Sequence, residues 1–334
     1  MLHLNTAGLV RRSLLLSCVL AGITACSDNE PSSAETESAA INAAPSVAEI
    51  HAASLVLDAH ADIVIPSTSR AYMSADGSSK VDLAKMRAGG VDAVVMSVAV
   101  GPGPRTAEGD AAARAEADEK IAAVHSLVEE SQGQLVMATT SAEIVAAHES
   151  GQSALILGFQ NARSLQGNIS AIDEFYAEGV RIFGLNHLGH NAFSDSSRPE
   201  FSGETGSFEV TEEHGGLSAL GAAAVERINA LGALVDVSQL SKAATLQVLN
   251  LTSSPIIASH SNAKTVSDVT RNLSDEEIDL IGENGGVIHI AAFKGYLINI
   301  SEPAFIKELV ALRVAAGISE EYNYPFELYW EIDD

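Results

Sequence analysis

The body of the chain alternates short apolar runs with longer segments in which apolar residues recur every three or four positions. Short apolar runs bounded by turn residues read as buried strands, and a period near 3.6 reads as helix. The apolar runs predict strands over 55–61, 93–100, 154–159, 182–186, 233–237, 255–259 and 287–292. The segments around them predict helices over 82–88, 107–132, 141–150, 169–178, 219–231, 242–249, 275–283 and 303–316. Gly89-Gly90, Gly151, Gly179, Gly232 and Gly285-Gly286 fall between a helix and the next strand, where left-handed C-caps belong. Apolar strands alternating with helices predict a parallel sheet covered by helices, an α/β fold. Polar residues gather at the C-terminal ends of several strands. This favours a (β/α)8 TIM-like barrel over an open doubly wound sheet, because barrel sites are built at that end. Only seven such strands can be read, since no further Val/Ile-rich run follows 303–316. The barrel is therefore expected to lack its eighth strand and to be C-terminally incomplete. Seven strands leave unpaired edges, which predicts completion by a partner, most simply as a homodimer, or a fragment of a longer domain.

The N-terminus departs from this alternation. Arg11 and Arg12 precede an apolar run over 14–25, too short to span a bilayer and ordered like a signal peptide. It ends Ile23-Thr24-Ala25-Cys26, which resembles a bacterial lipobox whose cysteine, Cys26, is lipidated. Residues 1–26 are then a lipoprotein signal peptide and 27–48 a flexible acidic stalk, leaving 49–334 as the barrel. An exported protein lipid-anchored to a membrane of the bacterial cell envelope is expected. Net charge is −25, with no basic face visible, which argues against nucleic acid as a partner. Both cysteines, Cys18 and Cys26, lie in the leader, so the body has no disulfide and no zinc–thiolate cluster.

Candidate chemistry sits at the strand ends. The first strand ends Asp58-Ala59-His60-Ala61-Asp62. Side chains two apart share a strand face, so Asp58, His60 and Asp62 are expected together. Such a cluster is costly to bury unless it finds partners or a metal, and histidine with carboxylate suits zinc. Other ends carry Gln160-Asn161, Asn186-His187, Asp236, Ser238-Gln239 and Ser259-His260-Ser261, and Arg271-Asn272 follow in a loop. Asp236 is expected to pair with a nearby polar group, Asp195 and Arg198 to order the loop after the fourth strand, and His190 and His214 to flank that loop. Tyr329 and Trp330 read as unburied.

Three of these stretches are specific: Asn186-His187 followed by Asn191-Ala192-Phe193-Ser194-Asp195-Ser196, then Ile257-Ala258-Ser259-His260-Ser261, then Arg271-Asn272-Leu273. In order and context they resemble the membrane (renal-type) dipeptidase family of zinc peptidases, over about Leu55 to Leu297. The resemblance implies hydrolysis of dipeptides, with a metal-activated water attacking the peptide carbonyl. The family holds two zinc ions with a His-x-Asp pair, a bridging glutamate and two further histidines. Carried over, His60, Asp62 and His260 are metal ligands, His187 contacts the substrate, and Arg271 grips its carboxylate. Gln160 stands at the bridging glutamate and Gln239 at the first of the later histidines, so zinc is expected as one or two ions. The family's acid/base aspartate belongs to the eighth strand and has no counterpart here. Two functions follow: a metallo-dipeptidase, or a catalytically impaired lipoprotein that binds peptides or cell-wall fragments without cleaving them.

Overall fold

The structure, a computed structural model, describes residues 44–63, 83–202, 207–297, 311, 312 and 315. Its strands are β1 (Leu57–Asp62), β2 (Ala93–Ala99), β3 (Leu135–Met137), β4 (Ser153–Gln160), β5 (Val180–Gly184), β6 (Phe201–Ser202), β7 (Ser207–Phe208), β8 (Leu234–Asp236), β9 (Ile257–Ser261) and β10 (Val287–Ile290). The main sheet runs β1-β2-β4-β5-β8-β9-β10, and every pairing in it is parallel. These are the seven expected strands. Two features were not expected. β3 branches from the path and pairs with β4, and β6 and β7 form a small antiparallel hairpin. Strands of two or three residues are too short to show a hydrophobic period.

The sheet curls into a nearly closed barrel. Along β2, Val94, Met96 and Val98 join the layer under the helices with Ile121, Phe175, Ile228 and Val248. Ala93 and Val95 turn the other way, inside the barrel with Ile156, Ile182 and Ile257. Burial on both faces explains why β2 and β4 read as unbroken apolar runs. A seam lies between β1 and β10, where no described strand bridges the two edges. Val287 and Ile290 on β10 are exposed there, which fits the expected missing strand.

The helices are α1 (Val47–Ala53), α2 (Leu83–Gly89), α3 (Ala107–Glu130), α4 (Ser141–Glu149), α5 (Ala171–Ala177), α6 (Ala219–Ala230), α7 (Lys242–Leu251), α8 (Asp275–Glu283) and α9 (Lys294–Leu297). Their starts are set locally. Thr140 with Glu143 and Ser274 with Glu277 form capping boxes that satisfy first-turn N–H groups of α4 and α8. The compact unit begins at Val47. Among the described residues no helix is long and apolar enough to cross a membrane. Cys26, the 1–26 leader, most of the 27–48 stalk, most of 303–316, Tyr329 and Trp330 lie outside the described residues.

Candidate active site

The site is built at the C-terminal ends of the parallel strands. His60 and Asp62 close β1, Gln160 ends β4, and His260 lies in β9. His187 and Gln239 sit in the loops after β5 and β8, and Arg271 in the loop after β9. The sheet thus gathers residues up to 211 positions apart in sequence, from His60 to Arg271.

Asp58 does not join them. The β1–β2 register shifts between Asp58 and Ala61, which breaks the simple alternation. Asp58 is exposed, and its carboxylate accepts the His60 backbone N–H at 3.0 Å. His60 Nε2 donates to Asp62 Oδ1 at 3.1 Å. Burial opposes charge on both, but their mutual hydrogen bond and attraction win. His60 is raised above its ordinary pKa and Asp62 held below the usual carboxylate range.

His260 stacks on His60 with ring centroids 3.8 Å apart, joining β9 to β1. Behind it lies Asp236. Its Oδ1 accepts the backbone N–H groups of Ser238 and Ser259, and its Oδ2 accepts Ser259 Oγ at 2.5 Å. Ser259 Oγ is also 2.7 Å from His260 Nδ1. A serine has one hydroxyl proton, and the shorter bond to the carboxylate takes it. His260 Nδ1–H therefore donates to Ser259, and His260 Nε2 keeps its lone pair. Burial lowers the pKa of His260 well below its ordinary value, so the ring is neutral.

That lone pair lies 3.0 Å from Gln239 Oε1, another acceptor, and 3.4 Å from Gln160 Nε2. Gln160 Nε2 donates to Gln239 Oε1 at 2.7 Å. Gln160 Oε1 and Gln239 Nε2 are buried and unpartnered. The imidazole lone pair and the amide oxygens lie close together, donor atoms that suit a cation. Gln239 is held there by a left-handed backbone, φ 68°, rare for a residue with a side chain. Its carbonyl accepts Ser197 N–H, while Ser196 Oγ–H goes to the His187 carbonyl at 2.7 Å. Among the described residues one group of three His, Asp or Glu side chains brings its donor atoms within 4.8 Å of one another: His60, His260 and Asp236. Asp236 was expected only to pair with a polar neighbour, and Ser259 was given no role. A carboxylate two residues before a strand's end, with a serine–histidine pair on the next strand, is the signal that points to them.

Arg271 is almost wholly buried. Its Nη1 donates to the His260 carbonyl at 2.6 Å, and its guanidinium lies 3.7 Å over the Tyr296 ring. Nε and Nη2 are buried without partners. Burial lowers its pKa to about 10, so it stays charged at neutral pH. A buried cation with two uncommitted donors can bind an anion such as a carboxylate. His187 is buried too, and burial lowers its pKa to about 3, so its imidazole is neutral.

The loop after β5 is organised by Asp195, as expected. Its carboxylate accepts the backbone N–H groups of Glu213, His214 and Gly216. His190 accepts Ser196 N–H at Nδ1 and donates to Val210 O, and His214 donates to Asn191 O. Both histidines brace the loop.

The family model for membrane dipeptidase (peptidase family M19) matches residues 45–319. The chain belongs to that family. The dipeptidase verJ of Clonostachys rogersoniana is 31% identical over 215 residues, 63% of this chain and 53% of that protein. Dipeptidase 3 of Homo sapiens is 30% identical over 158 residues, 47% of this chain and 31% of that protein. The chain thus spans about half the length of the first and about a third of the second. Among solved structures, the "probable dipeptidase PvdM" of Pseudomonas aeruginosa is 30% identical with a TM-score of 0.69, covering 85% of this chain and 75% of that one. A metallo peptidase of Rhodobacter sphaeroides, 22% identical with a TM-score of 0.63, covers 79% and 83% and shares the fold.

Proposed function

We propose that this chain hydrolyses dipeptides with the help of a bound divalent metal ion, zinc being the metal its donors suit best. The observation that carries this reading is the direct bond between Arg271 and His260. It sets an unpaired carboxylate-binding guanidinium beside a neutral imidazole whose Nε2 lone pair is free for a metal. An anion-binding group next to a metal-binding one suits a substrate cut close to its C-terminal carboxylate. Membership of the dipeptidase family narrows this to dipeptides.

His60 and His260 would hold the metal, with Asp62, bonded to His60, as the carboxylate and the amide oxygens of Gln160 and Gln239 as weaker donors. Bound there, a zinc ion supplies Lewis acidity for activating water and polarising the carbonyl. Arg271 fixes the C-terminal carboxylate through Nε and Nη2. His187, kept neutral by burial, offers a ring N–H to the oxygen on which charge develops. To hold a metal, His60 and Asp62 would have to give up the proton they share.

The test is turnover of L-Ala–D-Ala by the purified chain with zinc restored. Loss of turnover in His60→Ala supports the reading. No turnover by a folded, zinc-loaded chain that still binds the dipeptide would leave the non-cleaving lipoprotein instead. Arg271→Ala should weaken substrate binding by about 2–5 kcal/mol, a KM rise of at least ~30-fold, and Arg271→Lys should not restore it.

The same proposal keeps the exported, lipid-anchored form, supported by the Arg11-Arg12 pair, the apolar run and Cys26. Incorporation of labelled fatty acid, lost in Cys26→Ser, checks it. A homodimer is part of it as well, supported by the exposed Val287 and Ile290 of β10. Light scattering of the purified chain reads the mass.

A further inference from the structure

We infer that this centre takes one divalent cation per chain, and that Gln160 and Gln239 form a neutral, hydrogen-bonded pair that excludes a second. The inference deepens the proposed function and rests on a metal binding at this site, but not on turnover.

Three observations carry it. The first is charge. His60, His260 and Asp236 bring their donor atoms within 4.8 Å of one another, and Gln160 and Gln239 add neutral amides beside His260 Nε2. With both imidazoles neutral, the negative charges here are those of Asp236, whose oxygens accept three hydrogen bonds, and of Asp62, bonded to His60. One dication nearly balances that set. Two, a few ångströms apart, would leave an excess of about two positive charges in a buried place with no anion between them. Arg271, also buried and charged, touches the His260 carbonyl and raises that cost.

The second is occupancy by protein. The amides bond to each other at 2.7 Å, and both residues are about 2% exposed. A second ion would have to break that bond and replace it with neutral amide donors. The third is rigidity. Gln160 is the last residue of β4, paired to β2 and β5. The Gln239 backbone is held by its left-handed conformation and by the Ser197 N–H its carbonyl accepts. Both side chains thus start from fixed backbone and meet in the bond between them.

The experiment counts metal, not turnover. The purified chain is saturated with Zn²⁺, freed of loose ion, and its zinc measured per chain. The expected value is one. Gln160→Glu/Gln239→His, which supplies a bridging carboxylate and a strong nitrogen donor, should hold two. With Mn²⁺ in place of Zn²⁺, the double variant should show an exchange-coupled spin pair that the unsubstituted chain lacks. Two equivalents in the unsubstituted chain overturn the inference, as does none in a folded sample. A folded double variant that stays at one also overturns it, since the amides are then not what excludes the second ion. Should the double variant not fold, the unsubstituted chain's zinc count and Mn²⁺ spectrum decide. One equivalent without dipeptide turnover would sink the proposed function and leave this inference standing. Two equivalents with turnover would do the reverse.

Discussion

Ser259 illustrates how much one hydroxyl can decide. By giving its proton to Asp236 it obliges His260 to protonate at Nδ1, and so sets which nitrogen can meet a metal. Ser259→Ala should lower zinc affinity by about 10–100-fold with the fold intact, measured by competition against a zinc chelator. His187 makes a different point, about pH. Its pKa drops from 6.5 in the unfolded chain to about 3 in the fold, because burial penalises the imidazolium. Between those values the unfolded chain binds a proton that the folded chain refuses. The contribution is therefore fully favourable above about 6.5 and is lost as pH falls toward 3, by up to about 1.4 kcal/mol per pH unit. Urea unfolding from pH 7 to 4 should show this slope, and His187→Gln should flatten part of it.

The loop from β5 to α6 shows how an element without regular structure is held. Asp195 is fully buried and takes three backbone N–H groups from 213–216, a segment that contributes no partners of its own to the sheet. Burial opposes its charge, but these bonds hold its carboxyl below the usual carboxylate range. Asp195→Asn keeps one acceptor oxygen and turns an amide donor toward backbone donors. It should cost about 1–3 kcal/mol in urea unfolding, and it should loosen His190 and His214 with the loop. The start of α6 is fastened to the same loop. A Cβ at Gly221 would run into the Phe193 carbonyl, so no other residue fits there.

Among the described residues no strand bridges the seam of the barrel. β1 and β10 face each other across the seam, and the His60–His260 stack ties β1 to β9 near it. A cation shared by those two histidines, as proposed, would add a cross-link between β1 and β9 beside the seam. Binding that is specific to the folded state stabilises by mass action, about 2.7 kcal/mol at a hundredfold excess over Kd. Chelation should therefore lower Tm by several degrees, and zinc should restore it. In His260→Ala neither treatment should move Tm, which calorimetry can check.

The chain's own order of residues determined the strand and helix sequence, the parallel sheet and the end of the barrel that carries chemistry. Those properties follow from periodicity and from strands buried on both faces, which are local in sequence. His60, Asp62, His187, His260 and Arg271 were singled out for a related reason: each lies in a short stretch whose neighbours resemble the family's motifs. The protonation of His260, the committed state of Asp236, the exclusion of Asp58 by a register shift, and the bond between Gln160 and Gln239 were decided by folding. Each depends on distances between residues on different strands, 23 positions apart for Asp236 and Ser259 and 79 for the two glutamines. A hydrogen bond is made or lost over a few tenths of an ångström, and no pattern along one strand carries that information about another.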